Sequence, residues 1–335
     1  MAYDVVVNID LTKPTGKLGF GIPLILQENA TQAVAYTECA SIAEVVTAGF
    51  AATTAVYKAA QLLFAQENAP KQIAVAAFAD SATTALADAA LNSKGWRQLI
   101  VVNDDSEATS VATIAAAVEV LDGKLYFAGL DTDDATSFTA SGLRHTVLFY
   151  CDATEAVPFP VAALVGETAG RAAGSFTYKN LKLKGIDAQD LTDAQVEAIH
   201  KKGGITYVTK AGDNVTSEGK VAAGEFVDVI DSEDYIVQQL AYKTQKLLNN
   251  AAKVPYDNNG IAMLESVAAD VLQDAYNNGM IATKEDGTPD YSVSYALRED
   301  TSEADRVARN YLSGSFTFAL AGAIHYVEIT GTITA

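Results

Sequence analysis

The chain has 335 residues, of which 49% are hydrophobic and 19% charged, with a formal net charge of −19. Those proportions belong to a folded chain long enough for about two domains and exclude an intrinsically disordered one. The acidic excess excludes nucleic acid as a partner, because phosphate binding needs a basic surface, and it sets any self-assembly against mutual repulsion.

Residues 3–10, with Tyr3, Val5, Val6, Val7 and Ile9, read as a short β-branched strand. A tether through Thr12, Pro14, Gly16 and Lys17 follows. The start has no basic segment leading into a leader-length apolar run, so no secretory signal is expected. No uncharged apolar stretch of about eighteen residues occurs, so no membrane-spanning helix is expected either.

Between residues 33 and 170, helical and strand patterns alternate. An alanine-rich segment over 41–66 carries Val45, Val46, Phe50, Val56, Tyr57, Ala60 and Leu63 at helical spacings. Apolar runs at 72–78, 98–102, 124–128 and 145–150 are interleaved with helices predicted over 83–92 and 107–121. Ser106 is placed to cap the second of these helices and Gly123 to end it. Such runs between helices predict buried parallel strands in an α/β layered domain. A helix predicted over 161–173 sets Gly166, Gly170 and Gly174 four apart on one face, which lets it lie close against a neighbour. Glu167 and Arg171 interrupt it and exclude a transmembrane reading.

The second half changes character. Thr192 and Gln195 form a capping box that opens a short helix ending before Gly203 and Gly204. Strands are predicted at 205–210 and 225–230 around turn-rich residues including Gly212 and Gly219. Amphipathic helices follow at 233–250 and 261–278, then strands at 291–296, 315–320 and 324–333. The expected fold class is therefore an N-terminal α/β domain over 18–175 and a C-terminal α+β domain over 176–322. Strand-forming arms occupy 1–17 and 323–335. Ends built as strands are either sewn into their own sheet or lent to the sheet edge of a neighbour.

Little in the chain points to reaction chemistry. Acidic loops with Asp104, Asp105, Asp131, Asp133, Asp134 and Asp152 follow predicted strands, where a Mg²⁺-dependent α/β enzyme would gather its ligands. Asp80, however, is followed by Ser81 and Ala82, so the second aspartate of a haloacid-dehalogenase-type site is missing. A calcium loop starting at Asp131 fails at Thr136 and Gly142, where glycine and glutamate are needed. The glycines at 16, 19 and 21 fit neither dinucleotide nor Walker spacing. His145, His200 and His325 have no serine-elbow or reactive-cysteine context, and Cys39 and Cys151 read as small buried apolar residues in a reducing compartment. No catalytic residue, metal or cofactor is expected.

Several short segments stand in a recognisable order. They are Ala59 to Pro70, Gly95 to Val101, Ala162 to Gly166, Gly174-Ser175-Phe176, Leu191-Thr192 with Gly203-Gly204-Ile205, Asp305 to Arg309 and Phe316 to His325. Through nearly its whole length the chain resembles contractile tail sheath proteins of phages and phage-like particles. The resemblance implies a self-assembling subunit, forming six-membered rings stacked helically around a tail tube and contracting to drive the tube through a cell envelope. In that family, terminal arms add strands to the C-terminal sheet of an adjacent subunit. Here the resemblance assigns linking roles to Tyr3, Val5, Val6, Val7 and Ile9, and to Ile324, Tyr326, Val327, Ile329 and Ile333. Phe316, Phe318 and Leu320 fall in the receiving sheet. The tube-facing helix is either the one with Lys243 and Lys246 or the one with Glu265, Asp270 and Asp274. Implied partners are further copies of the chain, a tail tube protein, and baseplate and tail terminator proteins, in a virion tail or phage-tail-like particle assembled in a bacterial cytoplasm. Neither nucleic acid nor membrane insertion is implied, and the short chain leaves no room for large outer insertion domains. The Mg²⁺-dependent enzyme and another self-assembling tail or shell protein are the alternative readings.

Overall fold

Aliphatic runs become strands in this chain because one sheet removes them from water on both faces. The computed structural model describes residues 21–103, 110–132 and 142–326. The strands of the first half are β1 (Ile22–Gln27), β2 (Val34–Cys39), β3 (Ile73–Ala77), β4 (Trp96–Val102), β5 (Leu125–Leu130) and β6 (Thr146–Tyr150). They are joined by β7 (Gly204–Lys210) and β8 (Asp213–Thr216). Among the described residues these eight form one sheet in the order β2-β3-β1-β4-β5-β6-β7-β8. The strands from β3 across to β7 are parallel, and the edge strands β2 and β8 pair antiparallel.

Side chains alternate across the sheet. Ile25, Val75, Ile100, Phe127 and Phe149 point to one face. They pack there with Val56 and Leu63 of α2 (Ala55–Phe64), Leu164 of α6 (Val161–Ala169), and Val227 and Ile230 of α8 (Val227–Asn250). On the opposite face Leu24, Leu26, Leu99, Leu148 and Tyr150 meet α3 (Ala82–Leu86), α4 (Ala89–Asn92), α5 (Val111–Val118) and α7 (Asp193–Lys201) through Leu86, Leu91, Ile114 and Ile199. Helices on both faces of a mostly parallel sheet make a doubly wound α/β body. The short α1 (Ile42–Thr47) is capped by Ser41, whose side chain accepts from the Glu44 amide.

Several expectations are corrected. The sheet runs through the boundary expected at residue 175, since β7 pairs with β6, and the chain divides into compact units only after Pro255. The strand predicted at 225–230 is the start of α8; its β-branched residues suggested a strand, but Val227, Ile230, Val237 and Leu240 are buried at helical spacing. Helix α5 is capped by Ser110, not by Ser106, which lies outside the described residues. Helix α6 ends at Ala169, earlier than expected, with Gly170 as its C-cap. The capping box of α7 is present as read, with Thr192 and Gln195 in reciprocal hydrogen bonds.

The second unit contains α9 (Asn258–Asn277), β9 (Tyr291–Tyr295), the short α10 (Glu303–Ala308) and β10 (Gly314–Phe318). Asp257 caps α9 by accepting from the amides of Asn259 and Gly260. Ala268, Val271, Leu272 and Ala275 form its buried stripe.

Candidate assembly interface

Strands β9 and β10 pair antiparallel, with Phe316 opposite Val293 and Phe318 opposite Tyr291. Alternation gives the pair one half-buried face of Tyr291, Val293, Tyr295, Phe316 and Phe318, and one exposed face of Ser292, Ser294, Ser315 and Thr317. Tyr291 donates its hydroxyl to Gln273 of α9 at 3.1 Å, fixing the apolar face against the helix. The rings of Tyr295 and Tyr311 stack at 5.7 Å, and Gly314 leaves the room the Tyr295 ring needs. Leu320 extends the arrangement by an antiparallel bridge to Ile281. Among the described residues this sheet has two strands, fewer than a sheet usually needs for independent stability.

The arm residues Tyr3, Val5, Val6, Val7 and Ile9 lie outside the described residues, as do Val327, Ile329 and Ile333. Ile324 and Tyr326 are described, and they correct the prediction of a strand from 324: residues 321–326 carry no regular structure. Both side chains are open to solvent, at 82% and 80% exposure. A strand needs a ladder partner, and in the single chain these residues are not in one.

The tube-facing candidates separate by exposure. On α8, Lys246 is exposed, 5.7 Å from the centre of the Tyr242 ring, while Lys243 is half-buried. On α9, Asp270 and Asp274 are exposed. Glu265 is half-buried on the side of Tyr295 and Tyr311. Burial first, then Tyr295, Tyr256 and Glu265, push the Tyr311 hydroxyl up to about 12. The three acids therefore do not share one face of the helix.

A buried ionic network that the sequence did not announce fixes α8 to the α/β body. Arg97 on β4 donates to Asp231 at 2.5 Å and to Asp234 at 2.8 Å, both on α8, and to the Gly123 carbonyl at 3.0 Å. Tyr178 donates to the second oxygen of Asp231 at 2.9 Å. Burial alone would lower the guanidinium pKa, but Asp234 and Asp231 outweigh it and hold Arg97 charged. Beside it, Lys124 lies 4.2 Å from the centre of the Trp96 ring and donates to the Trp96 and Lys94 carbonyls. Arg97 stands second in β4, before Gln98 and the apolar run 99–102, and nothing near it in sequence names its partners.

At the carboxyl ends of β4 to β6, a cleft of about 330 Å³ is lined by Glu28, Asn103, Tyr126, Asp131, Cys151 and Phe159 among others. Asp131, which lines it, and the adjacent Asp152 hold loops together. Asp131 accepts from the Ala153 amide at 3.1 Å, and Asp152 accepts from both the amide and the hydroxyl of Thr132 at 2.7 Å. Burial first, then Asp152, push the Cys151 thiol up to about 12, far from a reactive thiolate. Among the described residues no group of three or more His, Cys, Asp or Glu is placed to hold a metal ion.

The doubly wound body and the two-stranded C-terminal sheet define a class of fold, and known proteins share it. Residues 227–333 match the family described as E217 tail sheath protein gp31-like, C-terminal domain. No curated protein matches the chain in sequence. Among solved structures, the anti-feeding prophage baseplate contains a chain that matches with a TM-score of 0.73 at 14% identity, over 99% of this chain and 98% of that one. A chain of the contracted sheath complex of the extracellular contractile injection system PVC matches at 0.71 and 13% identity, over 99% and 98%. The sheath tail protein Lin1278 from Listeria innocua matches at 0.55 and 12% identity, over 84% and 90%. The chain has the fold seen in contractile tail sheath proteins, and its residues 227–333 are similar to a tail-sheath C-terminal domain. That segment begins with the first residue of α8, so α8 belongs to it by sequence while Arg97 binds the helix to the α/β body.

Proposed function

We propose that this chain is the structural subunit of a contractile sheath, polymerising as stacked rings around a tail tube and shortening to drive that tube through a cell envelope. The observation that carries the reading is fold agreement over 98% of the chain with a chain of the anti-feeding prophage helical sheath in its contracted state, at a TM-score of 0.69 and 14% identity. The C-terminal family match supports it independently.

In this reading residues 3–10 and 324–333 are linking arms that complete the β9–β10 sheet of adjacent copies. The exposure of Ile324 and Tyr326 and the two-strand width of the sheet among the described residues support that assignment. A donated strand of six to eight residues makes several ladder hydrogen bonds, each worth about 0.5–1.5 kcal/mol net, in addition to side-chain burial. Head-to-tail contacts that do not close generate helical polymers, and linked arms let the bodies rotate without losing their neighbours. The tube protein, baseplate and terminator are the further partners, in a virion tail or a phage-tail-like particle. Deleting residues 1–12 tests the linkage: sedimentable polymers of the full chain should disappear in the truncated one. Cylinders of normal yield from the truncated chain would refute the arm assignment.

A further inference from the structure

We propose that the cationic cluster of Lys179, His200, Lys210 and Lys220 is a contact surface for an acidic face of a second copy of this chain. The proposal rests on the sheath reading and names one contact between its subunits.

The chain is acidic overall, yet seven of its 23 Lys and Arg residues fall between residues 179 and 220. Four cation-forming groups converge there on one carboxylate. Glu218 lies 3.9 Å from Lys179, and its carboxyl is influenced by Lys179, Lys220 and His200. His200 shares a hydrogen bond of 2.8 Å with Ser217, whose carbonyl accepts from Lys210 at 3.1 Å. Lys220 sits 5.1 Å from the centre of the Phe226 ring, an aromatic residue left 36% exposed at the start of α8. An exposed phenylalanine is a residue type that interfaces favour, and the lysines around it supply charge for recognition.

The cluster has more positive than negative groups. Burial first, and then Lys179, hold Lys210 below its ordinary range, and burial lowers His200 as well. An incoming carboxylate would relieve both, because an opposite charge in a partly desolvated site is screened less than on open surface. Acid is what a second copy offers. Residues 256–335 contain twelve Asp and Glu against four Lys and Arg, and Glu299, Asp300 and Glu303 are exposed. A basic patch on one body facing an acidic patch on another copy is a head-to-tail contact, which propagates instead of closing.

The test compares full-length K210E/K220E with K201E/K202E, the same charge change at the end of α7, by sedimentation of polymers over a concentration series. The first variant should raise the concentration needed for polymers about tenfold or more, and the second by less than about threefold, after allowing for general repulsion. Equal behaviour of the two would overturn the proposal and leave the sheath reading standing. A wild-type chain that stays dispersed at every concentration would overturn both. K210Q/K220Q adds no negative charge to the fold and should raise the concentration by an intermediate factor; wild-type behaviour from this variant would also count against the contact.

Discussion

Gly166 marks how closely α6 rides on α2: a methyl group there would lie 2.8 Å from the Leu63 Cα and would collide with the Leu63 carbonyl. Replacing it with alanine should cost about 2 kcal/mol through forced separation of the two helices, read as a lower denaturant midpoint at unchanged slope. That position was legible, because Gly166 and Gly170 are four apart and helical geometry puts them on one face. Lys124 was not legible. It heads the run 124–128 after Gly123 with no sequence sign that its ammonium is buried, yet β4 and its neighbours bury it beside Trp96 and Arg97. Burial first, then Arg97, lower its pKa from the ordinary 10.5 to about 7. The unfolded chain therefore binds more protons than the folded one between about pH 7 and 10.5, so the contribution of Lys124 to stability rises with pH across that window. Below about pH 7 its penalty is complete. The wild-type unfolding free energy minus that of K124M should increase from pH 7 to pH 10, and a flat difference would show that the ammonium is not desolvated.

At the scale of elements, α8 carries the main misreading and the main discovery. Its first turn, with Val227, Val229 and Ile230, looks like a strand when only neighbouring residues are considered. The helix wins because burial recurs at 227, 230, 237 and 240 and because Asp231 meets Arg97, a residue 134 positions away. Contacts of that separation leave no local pattern, which is why the Arg97, Asp231, Asp234 and Tyr178 network was missed while the capping box of α7 was read correctly. The same limit placed β7 and β8 in a separate domain, although they extend the first sheet. R97A should destabilise the body by about 3–5 kcal/mol, because it leaves Asp231 buried without its cation. R97M/D231L should recover much of that loss in thermal or chemical unfolding. Failure of the double variant to recover would show that the network is needed for more than charge pairing. The strands β9 and β10 were legible from their sequence pattern, and the solvent exposure of apolar Ile324 and Tyr326 supports the proposed arm.

At the scale of the whole molecule, a net charge of −19 opposes the proposed polymer, so in that reading assembly would be held by specific strands and local charge complementarity. The overall architecture was legible because alternating helix and strand periods specify a doubly wound sheet. The assembly partners were not, because in the proposed sheath an arm and its receiving sheet would belong to different copies. Cryo-electron microscopy of the purified full-length chain, concentrated and in screening salt, tests this most directly. The account predicts hollow ridged cylinders in which residues 3–10 and 324–333 of each subunit are paired with the β9–β10 sheet of another. Dispersed single particles, or cylinders in which both termini pair only within their own subunit, would contradict it.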